Sequence, residues 1–299
     1  PQPEIVVLEL SSYQLHYTKH FAPDMAIWTN FFPNHLDHHT TKKEYFWAKC
    51  NIIKHQTEKH IALLPYSLIE TIKKHIIMSC KVYLFVSYKP RKKLIYPTFY
   101  IHKNNAVLDN GSTKIIIFKN IHQLPDVTFP ENWLIIIASL YLQKISFDQL
   151  NTMARTLQDQ HHRVEFVRNF NGVSIYNDSK STVWQSTHKA LQRFKDKKIA
   201  LFLGGLSKGT NRAPLIQSLA QQNVTVFAFG KEAALLSSLC EKFQVQCYVS
   251  TTLQQALEKY LSLQNNFEIL LFSPAGSSFD LFKNYIDRGN QFKNMIMKL

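Results

Sequence analysis

Nowhere among the 299 residues does an apolar run approach the roughly 20 needed to cross a bilayer as a helix, so no membrane insertion is expected. The N-terminus lacks an initiator Met and has no basic region ahead of the apolar stretch Ile5 to Leu8, so no secretory signal peptide is expected. A chain opening Pro1-Gln2-Pro3 is expected to begin inside a longer protein. Cysteine is scarce. Cys50, Cys80, Cys240 and Cys247 form no C-x-x-C pair and are too sparse for a disulfide framework, so reduced thiols in a cytoplasmic protein are expected. No internal repeat and no low-complexity linker is present. Acidic residues are outnumbered, 21 Asp and Glu against 35 Lys and Arg, leaving a net charge of +14. Such a charge raises nucleic acid as a partner. The basic residues are nevertheless dispersed as pairs (Lys42-Lys43, Lys73-Lys74, Lys92-Lys93, Lys197-Lys198), with no RNA-binding aromatic motif and no zinc-finger spacing. Small anionic substrates such as nucleotides suit this charge better, and no nucleic-acid partner is expected.

The length suffices for two domains, each with its own core. In the first half the pattern predicts strands over Glu4–Leu10, Ala26–Asn30, His60–Leu64, Lys81–Val86, Phe99–His102 and Lys114–Phe118, with a turn at Asp109-Asn110-Gly111. Helices are predicted over Lys42–Thr57, where Tyr45, Cys50 and Ile53 share an apolar face, and over Pro130–Leu142 and Ser146–Leu157. The character changes near Asp159. Val164–Phe170 and Val173–Tyr176 flank Asn171-Gly172, a hairpin signal. Strands at Ile199–Leu203, Val224–Phe229, Gln246–Val249 and Glu268–Phe272 then alternate with helices at Pro214–Gln222, Glu232–Phe243, Leu253–Leu261 and Phe279–Met297. That alternation implies a parallel sheet with helices on both faces, whose ligands gather at the carboxyl ends of the strands.

Several clusters could carry chemistry. Glu9, where the first predicted strand meets Ser11-Ser12, could hold Mg²⁺, although such a carboxylate is usually solvated. The segment Asn34-His35-Leu36-Asp37-His38-His39 gathers imidazoles with a carboxylate, but its spacing is not a familiar zinc pattern and a polar loop explains it as well. Lys49 lies within the predicted helix, where a lysine is ordinarily solvated. Asn177-Asp178-Ser179-Lys180-Ser181-Thr182 follows one strand and precedes a helix, whose N-terminus favours anions. Capping accounts for Asp and Ser there, but not for a lysine in the first turn, which suggests a ligand. Gly204-Gly205-Leu206-Ser207-Lys208-Gly209 closes another strand and offers close backbone approach beside a cation. It lacks the G-x-x-x-x-G-K-S/T order of a phosphate-binding P-loop. Ser273-Pro274-Ala275-Gly276-Ser277-Ser278 ends the last strand and could cap the final helix or bind a carboxylate.

Taken in this order, these segments resemble the Mur ligase family, and within it the branch that adds D-glutamate. The matching pieces are Glu9 to Leu15, Asn34 to His39, His162-Arg163-Val164-Glu165, Asn177 to Thr182, Leu203-Gly204-Gly205, Ser273 to Asp280 and Asp287-Arg288-Gly289. They span most of the chain, although Lys59 to Phe129 contributes little. Residues 177–182 and 273–280 separate this branch from its siblings. The resemblance implies an α/β protein: an N-terminally truncated central ATP-binding domain over 1–159, then a Rossmann-like parallel-sheet domain over 160–299 that brings the amino acid. Residue by residue, it implies Glu9 as a Mg²⁺ ligand, His35 near a second metal, and Lys49 as a lysine that becomes carbamylated and thereby a metal ligand. Asn132 resembles an asparagine near adenine, and Arg163 and Asp178 resemble residues that contact ATP. Lys180, Thr182, Lys208, Ser278, Phe279 and Tyr285 resemble positions around D-glutamate, Tyr285 standing for a common Phe. Catalytic roles are thus expected of Lys49, His35, Lys180 and Lys208.

The reaction so implied is the ATP-dependent joining of D-glutamate to UDP-N-acetylmuramoyl-L-alanine through an acyl phosphate, with Mg²⁺, in cytoplasmic synthesis of peptidoglycan precursors, by a monomer. The pattern also departs from the family. The P-loop and a uridine-binding domain are not in this sequence, so the segment alone is expected to be inactive. Leu206 and Ser207 stand where an acidic residue is usual, an Asn precedes His35 where Asp is frequent, and His16 replaces a usual Glu. Other readings are a different Mur-type or folylpolyglutamate-synthase-like amide ligase, against which residues 177–182 argue, and a non-catalytic nucleotide-binding remnant.

Overall fold

A computed structural model of the chain describes residues 4–32, 39, 41–91, 94–124, 130–148, 150, 154 and 161–299. These divide into two compact units, the first ending at position 158 and the second beginning at 159.

The first unit carries α1 (Ser12–His16), β1 (Met25–Ile27), α2 (Lys42–Lys54), β2 (Ile61–Pro65), α3 (Ile69–His75), β3 (Lys81–Val86), β4 (Thr98–His102), β5 (Asn105–Asp109), β6 (Lys114–Phe118) and α4 (Pro130–Leu142). Its sheet runs in sequence order from β1 to β6, parallel through β4 and antiparallel beyond. Alternate residues of the inner strands face opposite ways, as a period of two requires. Ala62, Leu64, Val82 and Leu84 pack with Phe46, Cys50 and Ile53 of α2 and with Ile69 and Ile72 of α3. Leu63, Phe85, Phe99 and Leu108 pack with Trp133, Leu134, Ile137 and Ala138 of α4.

Three expectations for this unit change. The strand read over Glu4–Leu10 is irregular backbone, with Ile5, Val6, Val7 and Leu8 exposed. A strand requires a neighbour to bond with, and among the described residues no ladder includes this segment. Ser11, which follows that segment, is the N-cap of α1. Ser11 accepts from the Gln14 backbone, and the Gln14 side chain accepts from the Ser11 backbone. The unexpected strand β5 follows a two-residue turn at Lys103 and Asn104, both in the left-handed region at φ 47° and 64°. The helix predicted over Ser146–Leu157 lies outside the described residues except for Ser146–Asp148, Leu150 and Ala154.

The second unit holds β7 (Glu165–Phe170), β8 (Val173–Asn177), α5 (Trp184–Leu191), β9 (Ile199–Leu203), α6 (Ala213–Leu219), β10 (Val224–Phe229), α7 (Ala233–Lys242), β11 (Cys247–Ser250), α8 (Leu253–Leu261), β12 (Ile269–Phe272) and α9 (Tyr285–Met297). The sheet order is β11-β10-β9-β12-β8-β7, parallel except for the β7–β8 hairpin. Asn171 and Gly172 form that hairpin's turn with φ 50° and 83°, as their types require. The central strands β9 and β12 are buried throughout, which is why they read as continuous apolar runs. Leu201, Leu203, Val226 and Leu271 face α5, α6 and α7, while Ala200, Phe202, Phe227, Phe229 and Phe272 face α8 and α9. Phe272 stacks on Phe292 with centroids 4.2 Å apart, joining the central strand to the last helix. Both units are mixed α/β with six-stranded, parallel-rich sheets, as the sequence implied.

Candidate functional site

In the second sheet β12 lies between β9 and β8, so the loops leaving the carboxyl ends of these three strands are neighbours. Strand pairing thereby collects segments about 100 residues apart in sequence. Backbone bonds lock two of them together. Leu206 and Ser277 form an antiparallel bridge, each N–H donating to the other's carbonyl at 2.9 Å, and the Gly204 N–H donates to the Pro274 carbonyl at 3.0 Å. Gly205 makes this approach possible. Its φ is +68°, and a Cβ there would fall 2.2 Å from the Ser277 carbonyl oxygen.

Arg288 ties in the third loop. It projects from α9 and is fully buried. Its Nε donates to Ser179 Oγ (3.0 Å), its Nη2 to the Ser179 carbonyl (2.7 Å) and its Nη1 to the Gly276 carbonyl (2.9 Å). Burial pushes the guanidinium down from its ordinary value, with Asp280 pulling the other way. Arg212, also buried, donates to the Gly205 carbonyl at 2.8 Å and lies 3.6 Å from Glu232. Glu232 in turn accepts from the N–H (2.9 Å) and the hydroxyl (3.0 Å) of Ser207. The Gly-Gly loop, which lacks an acidic residue of its own at Leu206-Ser207, is thus met by a carboxylate from the start of α7.

Asp178 is turned inward. Its carboxylate accepts from Ser181 Oγ (2.5 Å), Ser273 Oγ (2.6 Å) and the Val164 N–H (3.2 Å). Burial raises it to about 6, against the pull of those three bonds and of the nearby Arg163 charge. Its role here is to hold the loop after β8 against β12. That loop is not the first turn of a helix, as the sequence suggested. The Ser179 N–H donates to the Asn177 side chain, the Lys180 N–H to the His162 carbonyl and the Ser181 N–H to the Asp178 carbonyl, so α5 starts only at Trp184 and Lys180 precedes it. The serines of 273–278 do not cap the last helix either. Ser273 donates to Asp178, Ser277 pairs with Leu206, and Asn284 caps α9 by accepting from the Asp287 N–H. The last helix consequently begins at Tyr285, six residues later than predicted.

On this framework a cavity of about 100 Å³ opens, lined by Thr182, Lys208, Ser277, Ser278, Phe279, Asn284 and Tyr285. Lys208 Nζ stands over the Phe279 ring at 5.8 Å, and Lys180 Nζ over the Tyr285 ring at 6.0 Å. Two cations, hydroxyls and two aromatic faces therefore surround or border one small concavity. That combination suits a compact ligand with carboxylates. Of the residues singled out for the amino acid, Thr182, Lys208, Ser278, Phe279 and Tyr285 line this space, and Lys180 lies against Tyr285.

Arg163 adjoins Asp178 within the same unit. Beside it, His162 is buried, and Asn177 donates to its Nδ1 at 2.9 Å. Burial and the Lys293 charge hold His162 below the usual imidazole range. Glu165 accepts from the His162 N–H (2.8 Å), Lys293 (2.8 Å) and Asn177 (3.1 Å). Although burial alone would raise Glu165, these bonds hold it down at about 2.

The other candidates lie in the first unit, except that His35 falls outside the described residues. Glu9 is exposed on the irregular segment before α1. Lys49 is half-buried on α2, its Nζ 5.6 Å from the Tyr45 ring centroid, and burial lowers its pKa. Asn132 is half-buried in the first turn of α4. Lys49 satisfies what a carbamylated lysine needs, an amine more readily neutral than a solvated one. A carbamate and the Glu9 carboxylate would together supply the oxygen donors that a hard cation prefers.

Sequence reasoning missed Arg288, Arg212 and Glu232 as organisers of the site. A signal for the first existed. Arg288, Phe292 and Ile296 recur every four residues, so the arginine shares the buried face of its helix. No comparable pattern marks Arg212 or Glu232.

Residues 1–122 match the Mur ligase middle domain. The whole chain is 29% identical to a UDP-N-acetylmuramoylalanine–D-glutamate ligase of Clostridioides difficile, covering 100% of this chain and 65% of that protein. It is 33% identical to the enzyme of the same name from Bacillus thuringiensis (strain Al Hakam), over 99% of this chain and 64% of that protein. The chain thus spans a little under two thirds of these relatives. Among solved structures, the fold is similar to the MurF ligase of Thermotoga maritima in complex with ADP, with a TM-score of 0.57, 16% identity, and coverage of 93% of this chain and 62% of that one.

Proposed function

We propose a function from one premise: this chain belongs to the Mur ligase family. Its two units are the ATP-handling and amino-acid-handling parts of a cytoplasmic ligase. That enzyme joins D-glutamate to UDP-N-acetylmuramoyl-L-alanine in peptidoglycan precursor synthesis. The observation that carries the reading is the cavity at the strand ends, where Thr182, Lys208, Ser278, Phe279 and Tyr285 meet. Thr182, Ser278 and Phe279 belong to segments that resemble the D-glutamate-adding branch, Lys208 and Tyr285 stand at positions that resemble its D-glutamate contacts, and curated proteins matched along the whole chain bear that activity in their names.

In this reading the terminal carboxylate of UDP-N-acetylmuramoyl-L-alanine takes the γ-phosphoryl group of ATP, giving an acyl phosphate and ADP. The amine of D-glutamate attacks the acyl carbon and inorganic phosphate leaves. Both steps concentrate negative charge, and fixed cations stabilise it. Lys208 and Lys180 would hold the D-glutamate carboxylates, with Thr182 and Ser278 donating hydroxyl hydrogen bonds. Phe279 and Tyr285 would exclude water from the same space. Arg163, Asp178 and Asn132 are the proposed ATP contacts, Asp178 acting by keeping Arg163 and the loop after β8 in place. Mg²⁺ would be held by Glu9, His35 and carbamylated Lys49, and would neutralise phosphate charge.

The test is phosphate release by the full-length protein supplied with ATP, Mg²⁺, UDP-N-acetylmuramoyl-L-alanine and D-glutamate. Release should require all of them, and L-glutamate should not replace the D-isomer. The 299-residue chain alone should not turn over, because its sequence contains no P-loop to cradle the phosphates. Release that is indifferent to D-glutamate would overturn the assignment.

A further inference from the structure

His16, His39 and Glu44 come from three separate pieces of the first unit: the last turn of α1, the segment before α2, and the first turn of α2. One donor atom from each lies within 4.8 Å of the other two. We infer that these residues form a site for a divalent transition-metal ion of the zinc class. It shares no residue with the set proposed for Mg²⁺, Glu9, His35 and carbamylated Lys49.

The chemistry of the donors selects the ion. Two imidazoles and one carboxylate, with a fourth position for water, suit zinc and its first-row neighbours, whereas Mg²⁺ and Ca²⁺ favour sets dominated by oxygen. The geometry is that of a site ready to close. Tetrahedral coordination with bonds near 2.0–2.1 Å places donors about 3.3 Å apart, so the present spacing contracts by roughly 1.5 Å at most. His16 is exposed and Glu44 half-buried, and both side chains can make that adjustment. His39 is the fixed point, fully buried, with its ring centroid 5.9 Å from that of His16. Its Nε2 lies 3.0 Å from Ser12 Oγ, a bond of the kind that sets the orientation of a ligating imidazole. With Nε2 so placed, His39 would coordinate through Nδ1. Tyr13 and Tyr45 flank the same ring, with centroids at 5.8 and 5.4 Å.

The fold gives such an ion something to do. Helix α1 has only five residues, too few to be stable on its own. A metal bridging His16 to Glu44 would pin it to the start of α2. Glu9 lies just before the first helix and Lys49 lies within the second, so the ion would tie together the two segments that carry them.

The experiment uses the 299-residue chain without a histidine tag. Equilibrium dialysis against Zn²⁺ with elemental analysis reads stoichiometry and affinity, and Co²⁺ substitution reads coordination through visible d–d bands. One ion per chain should be retained, with the intense bands of a four-coordinate site. His16→Ala and Glu44→Gln, chosen because neither residue is fully buried, should each weaken Zn²⁺ binding by about tenfold or more, the lower bound for disturbing a ligand shell. A double variant His20→Ala, His55→Ala removes another close imidazole pair, 5.9 Å apart, and should leave binding unchanged. Equal affinity in wild type and in both single variants would overturn the inference, as would loss of binding in the control or displacement of Zn²⁺ by Mg²⁺ at equal concentration.

Discussion

Replacing Gly205 by Ala isolates the contact that assembles the strand-end site. Two effects add. The residue sits at φ +68°, a region that costs an L-residue roughly 1–2 kcal/mol. The new methyl would also lie 2.2 Å from the Ser277 carbonyl and 2.9 Å from Arg288 Nη1, too close for either to stay. Moving Ser277 breaks the reciprocal Leu206–Ser277 pair, two hydrogen bonds of about 1 kcal/mol each. The total is about 3–4 kcal/mol. Gly209 supplies the comparison within the same loop. Its φ is +73°, but nothing lies within 4 Å of the place a Cβ would take, so Gly209→Ala loses only the same backbone preference of roughly 1–2 kcal/mol. At roughly 2–4 °C per kcal/mol for a domain of this size, Gly205→Ala should lower the melting temperature of the second unit by about 10 °C and Gly209→Ala by about 4–5 °C. Differential scanning calorimetry of the two variants beside wild type measures this directly. Equal shifts would show that the bridge contributes nothing and that backbone conformation alone matters.

Three more outcomes follow from the site. Lys208→Ala in the full-length protein should raise the KM for D-glutamate by one to two orders of magnitude, since a charge-assisted contact contributes about 1.5–3 kcal/mol, while the KM for ATP changes far less; an unmoved D-glutamate KM removes Lys208 from the pocket. Lys49→Ala should abolish most phosphate release by the full-length enzyme, with partial recovery in acetate, whose carboxylate replaces the carbamate; near-normal turnover would make Lys49 an ordinary surface residue. The Asp178 carboxyl, raised to about 6 by burial, should titrate there in carbon-13 NMR. Because its folded pKa lies above the unfolded value, its contribution to stability is present below about pH 4 and is lost as pH rises through 6. Titration at or below about pH 4 would show that its three hydrogen bonds outweigh burial.

The sequence by itself determined what depends on local periodicity and on short motifs. Ile199–Leu203 and Glu268–Phe272 read as strands of a parallel sheet because apolar runs alternate there with helices, and Asn171-Gly172 read as a hairpin turn because few residue pairs accept its backbone angles. The residues around the cavity were legible through their motifs, since Thr182, Lys208, Ser278 and Phe279 follow strand ends whatever the details of packing. Glu4–Leu10 was misread because β character in a sequence says nothing about whether a neighbouring strand is there to bond with it. The capping roles given to Ser273–Ser278 and to residues around Lys180 failed for a related reason. A serine or aspartate has several partners within reach, and long-range bonds, such as Ser273 to Asp178 and Ser277 to Leu206, prevailed over the local ones. Arg288 shows its burial only through the spacing of its helix, and Arg212 and Glu232 show none, because a charged residue enters a core only when carbonyls and countercharges from distant segments converge on it. Tertiary structure alone decided that convergence, and it also decided that His16, His39 and Glu44 share one place.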